Sequence, residues 1–262
     1  MSFIVRQDRG GVATLRFSRP AKLNALSPDA FVSLGSAMRE VSDDPSVAIV
    51  VLRGEGRAFA AGADIATYVD LPESRFRELI DSARDTVDQF ARCPKPVVAA
   101  VRGFALGGGF ELLLACDLVV ATTNARLGLP EARLGLLPGG GGTQRLPRLV
   151  GRLRANELIL TRRILTGAEA HAWGLVNRLC EPDELDATLE QLVRELLGSA
   201  PAARRLAKRL ILEAEEHTLA EGLTIERDLT APLIETADGR EGVAAFVEKR
   251  DPVFRPPEAV PD

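Results

Sequence analysis

Histidine and cysteine, which supply many metal ligands and catalytic nucleophiles, are scarce in this chain. The 262 residues include only two histidines and three cysteines. His171 and His217 fall in no HExxH pattern, and Cys93, Cys116 and Cys180 are far apart with no CxxC pair. The sequence therefore offers few residues for a zinc site, a disulfide framework or a histidine-based triad. We predict that the chain binds no metal and that its thiols are structural and stay reduced.

Long apolar runs and an excess of positive charge are also missing. Charged residues interrupt every apolar stretch before it reaches the ~18 residues that span a bilayer. The start MSFIVRQDRGG lacks the basic-then-apolar order of a signal peptide. A formal net charge of −4 gives no electrostatic basis for binding nucleic acid. With 46% hydrophobic and 27% charged residues, we expect a soluble, cytoplasmic protein that binds neither membrane nor nucleic acid.

Short β-branched runs alternate with helical patterns in the first half of the chain. Residues 3–7 and 12–18, divided by two glycines, predict a hairpin. Ser27, followed by Pro28, predicts the start of a helix. Further predicted elements are buried strands at 47–54, 96–101 and 117–122 and helices at 73–92 and 107–116. This alternation is typical of an α/β fold.

Helical patterns dominate the second half. Thr166 and Glu169 have the spacing of a capping box. Residues 175–179 form the last predicted strand, and everything after it is predicted to be helical until a Pro-rich end that we expect to be extended or partly disordered. We therefore predict an α/β core over residues 1–195 and an α-helical region over residues 196–262.

Several basic and aromatic residues of this second half are predicted to be structural. A basic ridge at i, i+4 spacing is expected to be a solvated helix face and not a phosphate site. It consists of Arg204, Arg205, Lys208 and Arg209. His171, His217 and Trp173 are likewise interpreted as structural.

The segment GEGRAFAAGADI (54–65) places small residues directly after a predicted strand. Phe59 stands where a dinucleotide-binding fingerprint needs its third glycine, which disfavours a Rossmann site. The small side chains of residues 60–64 would let backbone N–H groups approach a ligand closely. A plain tight loop is the alternative, and this segment alone favours it.

The segment ALGGGFELLLACD (105–117) sets three glycines and Glu111 at the start of a predicted helix. A helix N-terminus presents free N–H donors and partial positive charge, so it can hold an anion or a developing oxyanion. Glu111 is either an exposed first-turn acid, favoured by the helix dipole, or a carboxylate with a catalytic task. Its position alone favours the exposed acid.

The segment LGLPEARLGLLPGGGGTQRL (127–146) again combines an acid with glycines. Glu131 follows Pro130, and four glycines at 139–142 precede a predicted helix. Glu131 alone could be a first-turn helix acid, and no GxGxxG or GxxxxGK[ST] pattern supports a nucleotide cradle. The three segments jointly supply two carboxylates and two sets of N–H donors, without a GxSxG elbow or an activated cysteine motif. These groups suit proton transfer next to a carbonyl.

The chain resembles the crotonase superfamily, and within it the enoyl-CoA hydratases. The resemblance is carried by AFAAGADI (58–65), GFALGGGFELLLACD (103–117), LPEARLGLLPGGGGTQRL (129–146), KLNAL (22–26), AEAHAWGLVN (168–177) and FVEKRDPVF (246–254). It covers essentially the whole chain in consistent order. It implies a spiral of repeated ββα units that holds the active site within residues 1–195. It also implies that residues 196–262 mediate a homotrimer, often paired into a homohexamer.

The same resemblance implies roles for the acids and the N–H groups. The backbone N–H groups of Ala63 and Gly108 would bind the thioester oxygen of an acyl-CoA and stabilise an enolate. Glu111 would activate the water that attacks the β-carbon, and Glu131 would give a proton to the α-carbon. The implied reaction is reversible hydration of a 2-enoyl-CoA in fatty-acid or related acyl-CoA degradation. No cofactor is implied, because coenzyme A is carried by the substrate.

Substrate contacts are implied as well, with the CoA moiety along residues 22–26 and 61–65. The residues expected to contact substrate are Lys22, Ala25, Leu26, Ala61, Asp64, Ile65, Tyr68, Leu106, Gly107, Pro130 and Gly139. Phe246 and Lys249 would reach CoA from a neighbouring subunit. Alternatively they form a packed helix face with a solvated lysine, and both interpretations remain open.

The acyl group and the exact reaction are the least determined features. We place the acyl wall in residues 68–80 and at Phe104, with Tyr68, Val69 and Leu71 as candidates. Both acids together favour a hydratase, because isomerases of this superfamily typically keep only the acid matching Glu131. A double-bond isomerase or a specialised dehydratase is the alternative. A catalytically silent acyl-CoA-binding protein is a third hypothesis, which the intact pair of acids disfavours.

Overall fold

Residues 3–254, which this computed structural model describes, form two β-sheets with helices packed around them. The strands are β1 Ile4–Arg9, β2 Val12–Phe17, β3 Ile49–Gly54, β4 Ala58–Ala60, β5 Val97–Val101, β6 Phe104–Leu106, β7 Leu118–Thr122, β8 Arg126–Gly128, β9 Leu165–Thr166 and β10 Arg178–Cys180. The helices are α1 Pro28–Asp43, α2 Glu73–Arg92, α3 Gly108–Leu114, α4 Gly142–Val150, α5 Arg152–Leu160, α6 Gly167–Ala172, α7 Leu185–Leu197, α8 Pro201–Glu213, α9 Leu219–Thr230 and α10 Ala237–Glu248. Short 3-10 helices lie at Pro20–Lys22, Ile65–Tyr68, Glu131–Leu134 and Ala231–Glu235.

The chain winds as a spiral, and each turn of the spiral contributes one strand to each sheet. The larger sheet has the order β1-β2-β3-β5-β7-β10 and the smaller one β4-β6-β8-β9. Strand β3 is followed by β4 and α2, β5 by β6 and α3, and β7 by β8 and α4. Strands of successive turns pair in parallel in both sheets. The predicted α/β spiral of repeated ββα units is therefore confirmed.

The strands of the larger sheet are apolar without interruption because both of their faces are covered. Side chains alternate across β3, so Val50 and Leu52 enter the main core while Ile49 and Val51 enter a second one. The second core is closed by α7, whose buried leucines pack on this face. A strand covered on both sides needs no polar alternation, which is why the runs at 47–54 and 96–101 could be identified.

Most local predictions are confirmed in detail. Strands β1 and β2 pair antiparallel across the two glycines. The Ser27 hydroxyl accepts from the Ala30 N–H at 3.3 Å and caps α1. The capping box of Thr166 and Glu169 is present with both of its hydrogen bonds. The helix predicted at 73–92 has those bounds in the structure.

The last predicted strand, at 175–179, is wrong in its position. The observed strand β10 begins at Arg178 and extends to Cys180. Asn177 precedes the strand and makes two hydrogen bonds to Val119. The Asn177 Oδ1 accepts from the Val119 N–H at 2.8 Å, and the Asn177 N–H donates to the Val119 carbonyl at 2.9 Å. Leu175 and Val176 are buried before the strand begins. Burial of those two side chains explains the apolar pattern that the strand prediction followed.

Four helices, α7 to α10, follow strand β10, as the predicted helical second half requires. Residues 251–254 have no regular secondary structure. The rest of the Pro-rich end lies outside the described residues. None of the helices within 3–254 is long and apolar enough to cross a membrane.

The basic ridge on α8 is not a wholly solvated face, so that prediction is wrong for two of its members. Arg204 donates to the Ser199 carbonyl at 3.0 Å, and burial lowers the pKa of its guanidinium. The Lys208 side chain is only 9% exposed, and its Nζ lies 2.6 Å from Asp117 Oδ2. The same carboxylate accepts from the Val97 N–H at 2.7 Å. Lys208 therefore fastens α8 to the amino ends of β5 and β7, two inner strands of the larger sheet.

Replacing Lys208 with methionine should lower the free energy of unfolding by about 2–3 kcal/mol, because Asp117 then loses its charged partner while still partly buried. Urea denaturation at pH 7 measures the change. Arg209→Met on the same helix is the matched control. Arg209 is 57% exposed and pairs with Glu213 one turn away, so its loss should cost no more than about 0.5 kcal/mol. Equal costs for the two variants would contradict the structural role of Lys208.

Candidate active site

Glu111 and Glu131 line one cavity of about 150 Å³, together with Ala63 and Gly108. These residues follow β4, β6 and β8, three parallel strands of the smaller sheet. Carboxyl ends of parallel strands lie along one sheet edge, where ligands of α/β proteins commonly bind. The structure thus brings all four predicted catalytic positions to the same edge.

Glu111 is buried, with only 4% of its surface exposed, so the exposed first-turn acid is the wrong alternative. Its Oε1 accepts from the Gly142 N–H at 2.8 Å. Burial raises the pKa of the Glu111 carboxyl, while the backbone of Gly142 and the charge of Arg145 act in the opposite direction. A desolvated carboxylate held by an N–H donor is a typical environment for a proton-transfer group.

The glycine loop at 139–142 closes around the Glu111 carboxylate. A Cβ at Gly140 would lie 2.8 Å from Oε2 of Glu111, and one at Gly142 would lie 3.1 Å from Oε1. Arg145 donates to the Gly140 carbonyl at 3.2 Å and also pairs with Asp88 of α2. The loop therefore needs glycine for its close approach, and Arg145 ties it to the neighbouring helix.

Glu131 begins a 3-10 helix and faces the same cavity with little compensation for its charge. Its Oε2 is buried and has no hydrogen-bond partner within residues 3–254. Burial raises the pKa of Glu131 to about 7, and the charge of Glu111 adds to this shift. Burial and the charges of both acids also raise the pKa of Tyr68. The charge of Glu111 thus adds to burial in keeping the Glu131 carboxyl protonated towards neutral pH.

Two backbone N–H groups border the cavity where the loops after β4 and β6 meet. Around Ala63, the Leu26 N–H donates to the Gly62 carbonyl at 2.8 Å and the Asp64 N–H donates to the Leu26 carbonyl at 2.9 Å. Gly108 is the first residue of α3, so its N–H has no acceptor within the helix. This places a helix N-terminus next to the Ala63 loop, which suits an oxygen that gains negative charge.

The rest of the cavity wall is apolar. Helix α2 contributes Phe76, Leu79, Ile80 and Ala83, and the chain after Glu131 contributes Leu134, Leu136 and Leu137. The described lining residues include no lysine, arginine or histidine. The three leucines were missed by the sequence analysis, although Leu134 and Leu137 stand out as apolar residues between Glu131 and the glycine loop.

The predicted substrate-binding residues divide into two groups. Those that line the cavity are Ala61, Ile65, Tyr68, Gly107, Pro130 and Gly139. Lys22, Ala25, Leu26, Asp64 and Leu106 do not line it. Among these, Asp64 pairs with Lys22 at 3.5 Å and with Arg19 at 3.0 Å, beside the cavity loops. Whether this second group binds CoA stays a prediction.

Five further predicted positions also lie outside the cavity, namely Val69, Leu71, Phe104, Phe246 and Lys249. Val69 and Phe104 are not among the described lining residues, so their assignment to the wall of this cavity is wrong. Val69 directly follows the 3-10 helix Ile65–Tyr68, which turns Tyr68 inward and Val69 outward. Phe246 is 85% exposed, and it lies with Lys249 at the end of α10. Their contact with CoA of a neighbouring subunit stays a prediction.

Histidine and cysteine take no part in this site. Within residues 3–254 no cluster of three or more His, Cys, Asp or Glu side chains could hold a metal ion. Cys93, Cys116 and Cys180 are free cysteines. His171 Nδ1 lies 2.7 Å from the Val176 carbonyl oxygen, which agrees with a structural role.

The raised pKa of Glu131 has a consequence for stability. Between the ordinary value of 4.5 and about 7, the folded protein keeps a proton that the unfolded chain releases. Protonated Glu131 therefore stabilises the fold fully below about pH 4.5, and this contribution is lost as the pH rises through about 7. We expect Glu131→Gln, which does not titrate, to gain about 2 kcal/mol relative to the parent between pH 5 and pH 8. Urea denaturation of both proteins at the two pH values measures this, and an equal difference at both would contradict the shift.

Comparison with known proteins assigns the fold and then the family. The crystal structure of an enoyl-CoA hydratase from Bacillus anthracis matches with a TM-score of 0.93 at 36% identity, covering 98% of this chain and all of that one. The spiral is thus the crotonase fold. A family model described as enoyl-CoA hydratase/isomerase matches residues 7–257, and the chain belongs to that family of enzymes.

Curated relatives are similar over almost their full length. A probable enoyl-CoA hydratase of Mycobacterium tuberculosis is 41% identical over 257 residues, which cover 96% of each chain. The crotonyl-CoA hydratase of Syntrophomonas wolfei is 38% identical over 252 residues, covering 96% of this chain and 97% of the relative. The resemblance inferred from the motifs is therefore confirmed at the level of the family.

Proposed function

We propose that this protein is an enoyl-CoA hydratase, which adds water reversibly across the 2,3 double bond of a 2-enoyl-CoA thioester. The observation that carries the proposal is the meeting of two desolvated carboxyls, Glu111 and Glu131, in one apolar cavity. Moving a double bond needs one group that takes a proton and returns it elsewhere. Hydration needs one group for the proton of water and one for the α-carbon, so a pair of acids favours it.

In the proposed mechanism the N–H groups of Ala63 and Gly108 bind the thioester oxygen. As water oxygen bonds to the β-carbon, Glu111 takes a proton from that water, and negative charge moves through the conjugated system onto the thioester oxygen. Each well-placed donor contributes about 3 kcal/mol to stabilising such a charge. Glu131 then delivers its proton to the α-carbon, and the carbonyl reforms. The proton left on Glu111 returns to the shared pair, and dehydration follows the same steps in reverse.

The environment of each acid supports these roles. A pKa of about 7 leaves Glu131 partly protonated at neutral pH, as an acid that also serves as a base in the reverse direction must be. The Gly142 N–H fixes the Glu111 carboxylate and favours its ionised form. Such a pair should be described by the apparent pKa values of the whole.

The substrate of this proposal is a neutral acyl-CoA of acyl-CoA degradation. Because the described lining residues include no cation, a second carboxylate on the acyl group would lie near Glu111 and Glu131 without a positively charged partner in the cavity wall. We place CoA along residues 22–26 and 61–65, whose backbones pair directly through Leu26. In a trimer or hexamer, Phe246 and Lys249 would contact CoA bound to the neighbouring subunit.

The direct test is the loss of conjugated-thioester absorbance when crotonyl-CoA is added. We expect turnover with crotonyl-CoA and little conversion of a 3-enoyl-CoA under the same conditions. Efficient conversion of the 3-enoyl-CoA alone would replace the proposal with an isomerase. Tight acyl-CoA binding without turnover of any short, medium or long enoyl-CoA would indicate a silent binding protein.

A further inference from the structure

A second cavity of about 250 Å³ adjoins the one that holds the two acids. The two cavities share two wall residues, Phe31 of α1 and Leu79 of α2. Its other lining residues are Pro28, Val32, Thr67, Leu71, Arg75, Glu78 and Ser82. Nothing in the hydration mechanism uses this side cavity.

Helix α2 forms the partition between the two cavities. Phe76, Ile80 and Ala83 face the cavity of the acids. Arg75, Glu78 and Ser82 face the side cavity. In each set the residues are three or four positions apart, so they form two adjacent stripes on one helix. Leu79 lies on the ridge between the stripes and contacts both spaces.

The side cavity suits an uncharged, apolar ligand. Pro28, Val32 and Leu71, which do not line the cavity of the acids, give it apolar walls. Arg75, the one cation among the described lining residues, lies at the exposed rim, where it pairs with Glu78 at 2.6 Å. Beyond Leu79, an alkyl chain would contact the apolar side chains of Pro28, Val32 and Leu71.

Leu79 is the wall residue that can move. Phe31 is 4% exposed, and its backbone carbonyl accepts from the Thr86 hydroxyl at 3.1 Å, which fixes α1 against α2. Leu79 is only partly buried. A cavity of about 150 Å³ holds a ligand about as large as benzene, which is enough for a short acyl group and too little for a long one.

We propose that the side cavity is a subsite for the distal part of a long acyl chain, and that Leu79 is the specificity-determining residue at its entrance. This inference rests on the proposed function for the identity of the ligand. A short acyl group stays in the cavity of the acids. A longer one displaces the Leu79 side chain and continues between α1 and α2.

Calorimetric binding of saturated acyl-CoAs tests this without turnover. The affinity of the parent protein should rise from butyryl-CoA to octanoyl-CoA to dodecanoyl-CoA. The expected increase is about fourfold for each methylene that reaches the apolar walls. Leu79→Phe should weaken dodecanoyl-CoA at least ~10-fold while butyryl-CoA changes far less. Val32→Phe, which places a larger side chain at another residue lining the side cavity, should have the same length-dependent effect.

Leu134→Phe is the matched control, because Leu134 lines only the cavity of the acids. This substitution should weaken the binding of butyryl-CoA and dodecanoyl-CoA by similar factors. If only Leu134→Phe, and neither Leu79→Phe nor Val32→Phe, selectively weakened the binding of dodecanoyl-CoA, the subsite would be overturned. The long acyl chain would then lie along Leu134. Crotonyl-CoA hydration, measured separately in the parent, distinguishes the two proposals. If crotonyl-CoA is hydrated but affinity does not depend on chain length as expected, only the subsite is contradicted. If affinity depends on chain length but crotonyl-CoA is not hydrated, only the proposed function is contradicted.

Discussion

Replacing either Glu111 or Glu131 with glutamine should lower kcat for crotonyl-CoA hydration at least ~10²-fold. Glutamine keeps the size of the side chain and an acceptor oxygen, but it neither takes nor gives a proton at neutral pH. The Gln oxygen at position 111 can still accept from the Gly142 N–H, so the glycine loop should keep its conformation. Because the two acids act as a unit, the double variant should lose little more than the more damaged single variant.

Glu73→Gln is the control for these substitutions. Glu73 begins α2, its side chain is 83% exposed, and its ion pair with Arg77 lies at the surface, so its loss should leave kcat near the parent value. Circular dichroism and urea denaturation show whether each variant is folded. A folded Glu111→Gln or Glu131→Gln protein with a near-parental rate would remove that residue from its proposed role.

The larger sheet could be predicted from the sequence, and most of the smaller one could not. Strands β3, β5 and β7 are continuous apolar runs because both faces are covered. Strands β4, β6 and β8 have only three residues each, which is too short for a periodic pattern to form. They pair with one another only after the larger sheet has brought successive turns into register, so their signal lies in tertiary structure.

The acids of the candidate site were identified from sequence, but their environment was not. Glu111 is an exposed acid or a buried one depending on Gly142, which lies far along the chain and wraps its carboxylate. The contact of Lys208 with Asp117 likewise joins distant segments. The assignment of Val69 to the acyl wall was wrong for a related reason, because one turn of 3-10 helix determines which side chain faces the cavity. Spacing along the chain predicts residue types at a site, whereas burial depends on what packs there.

The three glycines before Glu111 have identical chemistry and different surroundings. Gly107 has φ of 51°, and a Cβ there would lie 3.1 Å from Glu131 Oε1. A Cβ at Gly108 would meet Leu26 and Phe31 at ordinary distances of 3.4 and 3.5 Å. A Cβ at Gly109 would lie 2.3 Å from the Ala60 carbonyl oxygen. Of the three, only a Cβ at Gly109 would force two backbone segments apart. Alanine substitutions should therefore differ in their effect on stability.

Gly109→Ala should lower the free energy of unfolding by about 3 kcal/mol, a fall in Tm of about 6–12 °C. The new methyl group must push α3 away from β4, because a backbone carbonyl cannot rotate aside as a side chain can. Since Ala63 follows β4 and Gly108 begins α3, the same movement separates the two N–H donors, and crotonyl-CoA hydration should fall at least ~10-fold in the protein that remains folded. Gly108→Ala keeps its N–H and fits its surroundings, so its Tm should stay within about 3 °C of the parent. Equal thermal stability of the two alanine variants would show that α3 does not depend on close contact with β4.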